Sequence, residues 1–260
     1  MTSAGSDDLR LTALHHPRRN RYFSGKLLDA SGLEMEQEYG RGADAQLARL
    51  VLGAGVVCGL EVTAAPTADQ LGIRVGAGLA LDGWGRRIVV PCDADIVPAV
   101  VVGAGGAPLP ADAPLPATMA VRLCYQARAA DPTPAPHGPD AELEAGTWIE
   151  GYRVELREGR EPPAAGDCNE TTLALIRAGR FPEALAALAR SADAAPAADP
   201  AVTLATITAS PDGRLTIDAD APRAVVPTNL VLLRLIACLA ARVEECCAMS
   251  TPPPTPAQAP

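Results

Sequence analysis

A chain of 260 residues with 48% hydrophobic side chains is long enough for one large domain, or two small ones, around a real core. Aromatics are only 3%, so that core must be built from Val, Leu, Ile and Ala; 23 glycines and 25 prolines argue against a mostly helical bundle. The net charge of −9 disfavours nucleic acid as the main partner, because phosphate binding needs a basic surface.

Residues 1–16 read as a mobile N-terminal arm. The segment Arg18-Arg19-Asn20-Arg21-Tyr22-Phe23-Ser24-Gly25-Lys26-Leu27-Leu28 follows. It holds the only lysine of the chain, one of two phenylalanines and one of four tyrosines. Scarce residue types gathered in a few positions point to a packing or contact role. Arg21, Tyr22, Phe23 and Lys26 are therefore expected to dock the segment onto the chain's own sheet or onto a partner. Gly25-Lys26 is not a phosphate loop: no glycine stands five residues earlier, and Leu27 replaces the magnesium-binding Ser/Thr.

Ser31-Gly32-Leu33-Glu34 has the form of a capping box, and Met35, Tyr39, Ala43, Leu47, Leu50 and Val51 recur at helical spacing. A helix is predicted over 33–52, stopped by Gly53 and Gly55. Gly53-Ala54-Gly55-Val56-Val57-Cys58 nearly matches a dinucleotide fingerprint, but here the glycines follow a helix and precede a strand, the reverse of the required order.

Strands are expected over 56–62 and 71–75. A hairpin should run from Gly76–Leu81 through the Asp82-Gly83 turn into Arg87–Pro91. Glycines flank Trp84, so the backbone turns tightly while the indole covers the hairpin; Arg86 follows it. Another strand is expected over 97–102, a loop over 103–116 and a strand over 117–127 with Met119, Val121, Leu123 and Tyr125 on one face. Residues 129–144, with four prolines, read as loop. Thr147–Arg157 reads as a strand with Trp148, Tyr152, Val154 and Leu156 on a common face, and 160–166 as loop.

Two short helices are predicted over 170–178 and 182–191, broken at Phe181-Pro182. A flexible link, 192–200, leads to a hairpin of 202–208 and 214–217. Thr228-Asn229 could cap a last helix to Cys247, with Leu232, Leu235, Ile236, Leu239 and Val243 as its stripe. The fold class is therefore α+β: a β-rich body of antiparallel hairpins with an N-terminal helix and a C-terminal amphipathic helix. Residues 17–247 are expected to form one domain, followed by a Pro-rich disordered tail, 248–260.

The sequence offers little chemistry. No G-x-S-x-G elbow is present, and His15, His16 and His137 fall in loop-like segments. Seven cysteines occur without C-x-x-C spacing, mostly in apolar runs, where cysteine acts as a small hydrophobe. Cys246-Cys247 reads as a pair of half-buried thiols. Asp93 and Asp95 are expected to close turns rather than bind calcium, and Glu34, Glu36 and Glu38 to be solvated. No catalytic residue, cofactor or metal is expected, and the chain is read as not an enzyme. The polar, acidic start lacks the apolar stretch of a secretory signal, and no run of about 18 apolar residues suits a membrane span. The expectation is a cytoplasmic protein with reduced thiols, no nucleic-acid partner and no membrane contact.

Three blocks, 20–28 with Glu34, Gln37 and Tyr39, then 52–62, then 73–90, resemble a family of bacterial proteins associated with phage-tail-like contractile injection systems. The second and third blocks also resemble segments of phage baseplate and tail-fibre-attachment proteins. The resemblance spans residues 17–91 and is weaker over 148–156 and 224–247. It implies a non-enzymatic structural or adaptor component of the particle, in the baseplate or at its periphery, with baseplate, tube or sheath subunits as partners. The stripe of the C-terminal helix is expected to cap the chain's own sheet, with self-association as the other possibility. The alternative is a stand-alone β-rich module that binds a ligand or carbohydrate in a concavity near Trp84 and Trp148. An enzyme of unrecognised type would need a cleft with converging polar groups.

Overall fold

The computed structural model describes residues 14, 16–65, 71–97, 100–110, 113–134, 143–160, 170–191, 197–210, 214–219 and 223–249. The expectations for the N-terminal arm up to residue 13, for the 211–213 turn and for the tail from 250 lie outside these residues. The chain separates into two compact units, residues 1–226 and 227–260.

Helix α1 spans Ala30–Leu47 and widens into a π-helical turn over Ala48–Leu52. The cap is Asp29 rather than Ser31: the Asp29 carboxylate accepts from the Gly32 N–H at 2.8 Å. That hydrogen bond, followed by one from Ser31, lowers the Asp29 pKa. A charged acceptor two residues earlier takes the free Gly32 N–H, so the helix starts earlier than the capping-box pattern implies. The predicted stop holds. Gly53 takes φ +82° and its N–H closes onto the Ala48 carbonyl at 2.9 Å.

Among the described residues, eleven strands follow the α+β pattern. β1 (Gly55–Gly59), β4 (Gly78–Leu81) and β5 (Arg87–Val90) form one antiparallel sheet in the order β1-β4-β5. β2 (Val62–Ala64), β3 (Ile73–Val75) and β6 (Ala94–Ile96) form a second, in the order β2-β3-β6. The single strand expected over 56–62 is thus two strands. Leu60 breaks it with φ +60° and delivers its side chain wholly into the core. The third sheet has the order β11-β10-β8-β9-β7, with β7 (Val101–Val102), β8 (Thr118–Pro134), β9 (Leu143–Glu158), β10 (Val202–Ala209) and β11 (Leu215–Asp218). All its pairs are antiparallel except β7 with β9.

The largest departure from expectation is the length of β8 and β9. Residues 129–134 and 143–146, read as loop because of their prolines, continue the ladder to the pair Pro134↔Leu143. Pro136 and Pro139 lie outside the described residues. Pro132 and Pro134 are tolerated because β10 leaves β8 at Leu123, so β8 is an edge strand there and loses no ladder bond on that side. Beyond Leu123, and before Glu155, the two strands pair only with each other among the described residues. They form a two-stranded ribbon ~35 Å long.

The core lies where the sheets face one another. Leu60, Ile73, Val75, Ile88, Val90, Met119, Val121, Leu123, Leu156, Leu204 and Ile207 are its largest fully buried side chains. Each stabilises the fold by roughly 1.5–3 kcal/mol relative to exposure. Alternation drives the arrangement: Val121 and Leu123 face the core while Arg122 between them faces the other way, opposite Glu155 on β9.

The helices bury far less. α1 buries only Gly42 and Ala45 before its π turn. α2 (Glu170–Arg177) buries Thr172, and α3 (Phe181–Ser191) buries Ala184. The second unit holds α4 (Asn229–Met249), two residues longer than expected, with Thr228 accepting from the Val231 N–H at 3.3 Å. Leu230, Val231, Leu232, Leu233, Leu235, Ile236 and Leu239 of α4 are all exposed. No helix among the described residues is long and apolar enough to cross a membrane.

Candidate functional site: a tryptophan–arginine turn beside an arginine groove

The β4–β5 hairpin turns over Asp82–Arg86, as the Asp-Gly signal predicts. Asp82 organises it. Its fully buried carboxylate accepts from the Trp84 N–H at 2.9 Å, the Arg86 N–H at 2.8 Å and Arg86 Nε at 2.7 Å. Burial raises the Asp82 pKa, against the lowering effect of the Arg86 charge and of these hydrogen bonds. Trp84 is buried, and its indole N–H donates to the Ala197 carbonyl at 2.7 Å. The Arg86 guanidinium lies over the Trp84 ring at 4.4 Å and over the Tyr125 ring at 4.3 Å. The turn therefore joins three elements: its own hairpin, strand β8 through Tyr125, and the 197–201 loop, which also accepts from the Gly83 N–H at the Pro200 carbonyl.

Next to this turn a cavity of about 540 Å³ opens on the side of β8 and β9 away from the core. Arg86, Arg122, Arg153, Arg157, Glu155 and Asp199 supply its charges. The last five form a continuous alternating chain. Arg153 meets Glu155 at 2.7 Å, Glu155 meets Arg122 at 3.2 Å, Arg122 meets Asp199 at 2.5 Å, and Asp199 meets Arg157 at 2.8 Å. Burial alone would raise the Asp199 pKa, but hydrogen bonds from Arg122 and the Ala201 N–H, and the Arg122 charge, lower it overall. The Arg122 pKa is raised: its desolvation is outweighed by Asp199. Cys124, in the cavity wall, has its thiol pushed up to about 11, first by burial and then by Glu155. It stays protonated and unreactive at neutral pH.

The N-terminal segment is a second candidate surface. Lys26 Nζ donates to Asn20 Oδ1 and, at 3.1 Å, to the Arg21 carbonyl; it also sits 5.7 Å from the Tyr22 ring centre. Asn20 in turn donates to the Gly32 carbonyl at 3.1 Å, pinning the loop to the first turn of α1. The polar side chains are thus spent on holding the loop. Tyr22 and Phe23 are left 51% and 63% exposed, so neither is packed away on the chain's own sheets.

Of the residues singled out from the sequence, Trp84 and Arg86 belong to one site, whereas Arg21, Tyr22, Phe23 and Lys26 form a separate loop. Trp148 stands 67% exposed on the ribbon. Neither it nor the buried Trp84 is among the residues lining the cavity of about 540 Å³. Arg122, Tyr125, Arg153, Glu155, Arg157 and Asp199 were missed. The signal was available in Arg153-Val154-Glu155-Leu156-Arg157, where charge alternates in sign on one strand face and apolar residues occupy the other. Neither acid is seen closing a turn: Asp93 accepts from the Ala77 N–H at 3.0 Å, tying the β3–β4 connection to the β5–β6 connection, and Asp95 forms a two-pronged pair with Arg74, at 2.6 and 2.9 Å. Among the described residues, no three His, Cys, Asp or Glu side chains gather in a way that would hold a metal. The arrangement braces the hairpin turn against β8 and the 197–201 loop and lines the cavity with arginine side chains.

No protein-family model matches the chain, and no curated protein matches it. Among solved structures, it is similar to a chain of "The baseplate complex from the type VI secretion system", with 12% sequence identity and a TM-score of 0.40, over 93% of this chain and 72% of that one.

Proposed function

We propose that this protein is a non-enzymatic structural or adaptor component of a contractile, phage-tail-like injection particle, placed in the baseplate or at its periphery. One observation carries the reading: the β core is closed, yet apolar side chains lie open on many of the other elements. Tyr22, Phe23, Leu27 and Leu28 on the N-terminal loop are exposed. So are Leu47, Leu50, Val51 and Leu52 at the end of α1, Phe181, Leu185 and Leu188 on α3, Leu143 and Trp148 on the ribbon, and the apolar residues of α4. Scattered exposed apolar residues are ordinary, but contiguous runs of them mark surfaces that another protein covers. Aromatic side chains are favoured as anchors in such surfaces. The resemblance of residues 20–28, 52–62 and 73–90 to the contractile-injection-system family is in keeping with this reading.

The partners on this reading are baseplate, tube or sheath subunits, with α4 available for self-association. The test is purification of the native particle from cells that make it, with the chain tagged. It should travel with particle proteins, and a Tyr22→Ala/Phe23→Ala double variant should be depleted from the particle while remaining folded. Recovery of the wild-type chain solely as a free monomer from cells that assemble intact particles would overturn the reading.

A further inference from the structure

We infer that the arginine groove on β8 and β9 is a recognition site for an extended acidic peptide segment whose carboxylates stand four residues apart. The groove's own geometry supports this site whether or not the chain is a particle subunit.

The chain Arg153–Glu155–Arg122–Asp199–Arg157 has cations at both ends and holds three arginines to two carboxylates. Within it the arginines outnumber the carboxylates by one, inside a protein whose net charge is −9. Arg86 adds a guanidinium to the same wall, but that one is matched by Asp82. The two end arginines are the accessible ones. The Arg153 side chain is 56% exposed and that of Arg157 33%, against 5% for Arg122. A guanidinium carries five N–H donors, so a single ion pair leaves an arginine able to hold a further carboxylate.

The spacing selects the ligand. Arg153, Glu155 and Arg157 are alternate residues of one straight strand, and the core claims Val154 and Leu156 between them. The two end arginines are therefore ~13 Å apart. A small anion spans only one of them. An extended peptide repeats its side chains at the same interval as the strand, so acidic residues at positions i and i+4 of the ligand reach both. Glu155, between the two, then disfavours an acid at i+2. The cavity of about 540 Å³ between β9, Pro108 and the 197–201 loop has room for acidic side chains.

The experiment titrates the intact wild-type chain with three fluorescent twelve-residue peptides of Thr and Gly that differ only in where two glutamates sit: four apart, two apart, or adjacent. The four-apart peptide should bind tightest, with affinity falling as salt rises. Arg153→Ala/Arg157→Ala should weaken it on the order of tenfold, with the urea midpoint as a check on folding. Arg153→Glu/Arg157→Glu should instead prefer the corresponding two-lysine peptide. Equal binding of all three peptides by the wild-type chain overturns the inference without any variant having to fold. Equal competition by inorganic phosphate at the same concentration overturns it in favour of a small-anion pocket. Failure of the particle purification above would leave these outcomes unchanged.

Discussion

Gly85 lies directly against the backbone of Ala45. A Cβ added to Gly85 would stand 2.0 Å from the Ala45 carbonyl oxygen, and the residue holds φ +83°. This is the place where α1 meets the β4–β5 turn, and Ala45 is one of the few residues that helix buries. Contact between backbones, rather than interdigitated side chains, seats the helix. Gly85→Ala combines a left-handed strain with a clash against a carbonyl that has no rotamer to yield. It should cost about 1–3 kcal/mol, read as a lower urea midpoint with an unchanged slope. Wild-type stability would mean that α1 is held by something else.

Asp82 gives a graded prediction. Asp82→Ala removes the acceptor of two backbone N–H groups and leaves the Arg86 guanidinium beside Trp84 without its carboxylate, at a cost of about 3–5 kcal/mol. Asp82→Asn keeps an acceptor oxygen. Because burial already disfavours the charged form, Asn should be clearly milder than Ala. The raised pKa also sets a sign. The contribution of this group is greatest below the ordinary value of 3.8 and declines as pH rises through its folded value, so the gap between wild type and Asp82→Asn should narrow on going from acid to neutral pH.

Asp199 has the opposite sign. Its pKa is lowered, so its stabilising contribution is full above 3.8 and is lost as pH falls below that through the folded value. In that acid window the 197–201 loop should release Arg122 and Arg157. Hydrogen exchange at the Ala201 amide, which donates to Asp199 at 3.2 Å, should accelerate there, and Asp199→Asn should remove the pH dependence. An amide whose exchange follows only the intrinsic pH profile would count against the clamp.

Thiol labelling separates the cysteines. Cys58, Cys92 and Cys238 are exposed, whereas Cys124 is half-buried with its pKa pushed up to about 11. A maleimide at neutral pH should modify the first three well before Cys124, as followed by peptide mass mapping. Arg153→Ala removes a nearby cation and should slow Cys124 further; early labelling of Cys124 would refute the assignment of its environment.

Much of the body was legible because local signals and burial agree. The Asp82-Gly83 turn and the 202–208 hairpin strand appear where turn chemistry and periodicity place them, whereas the break between α2 and α3 falls at 178–180, where Gly179 takes φ +71°, and Phe181-Pro182 instead open α3. The ribbon was not legible. Its prolines speak against a strand only when a neighbour needs their N–H, and the departure of β10 at Leu123 is a tertiary fact. Nor was the arginine groove. Asp199 lies far along the chain from Arg122 and Arg157, and only the sheet order brings the three together. The role of Lys26 was half visible: its rarity marked the segment, but that it turns inward to hold Asn20 and the Arg21 carbonyl, leaving Tyr22 and Phe23 outward, depends on the conformation of the loop.

The ribbon has one more consequence. Its strands continue long after Leu123 has closed the core, and side-chain direction repeats every second residue. Two residues gained or lost together on β8 and β9 would therefore shift the tip by ~7 Å without reversing a face or disturbing any buried contact. Reach is thus decoupled from folding. Relatives built on the same body are free to differ in how far Trp148 is carried outward, and ribbon length is the first dimension in which they should be expected to diverge.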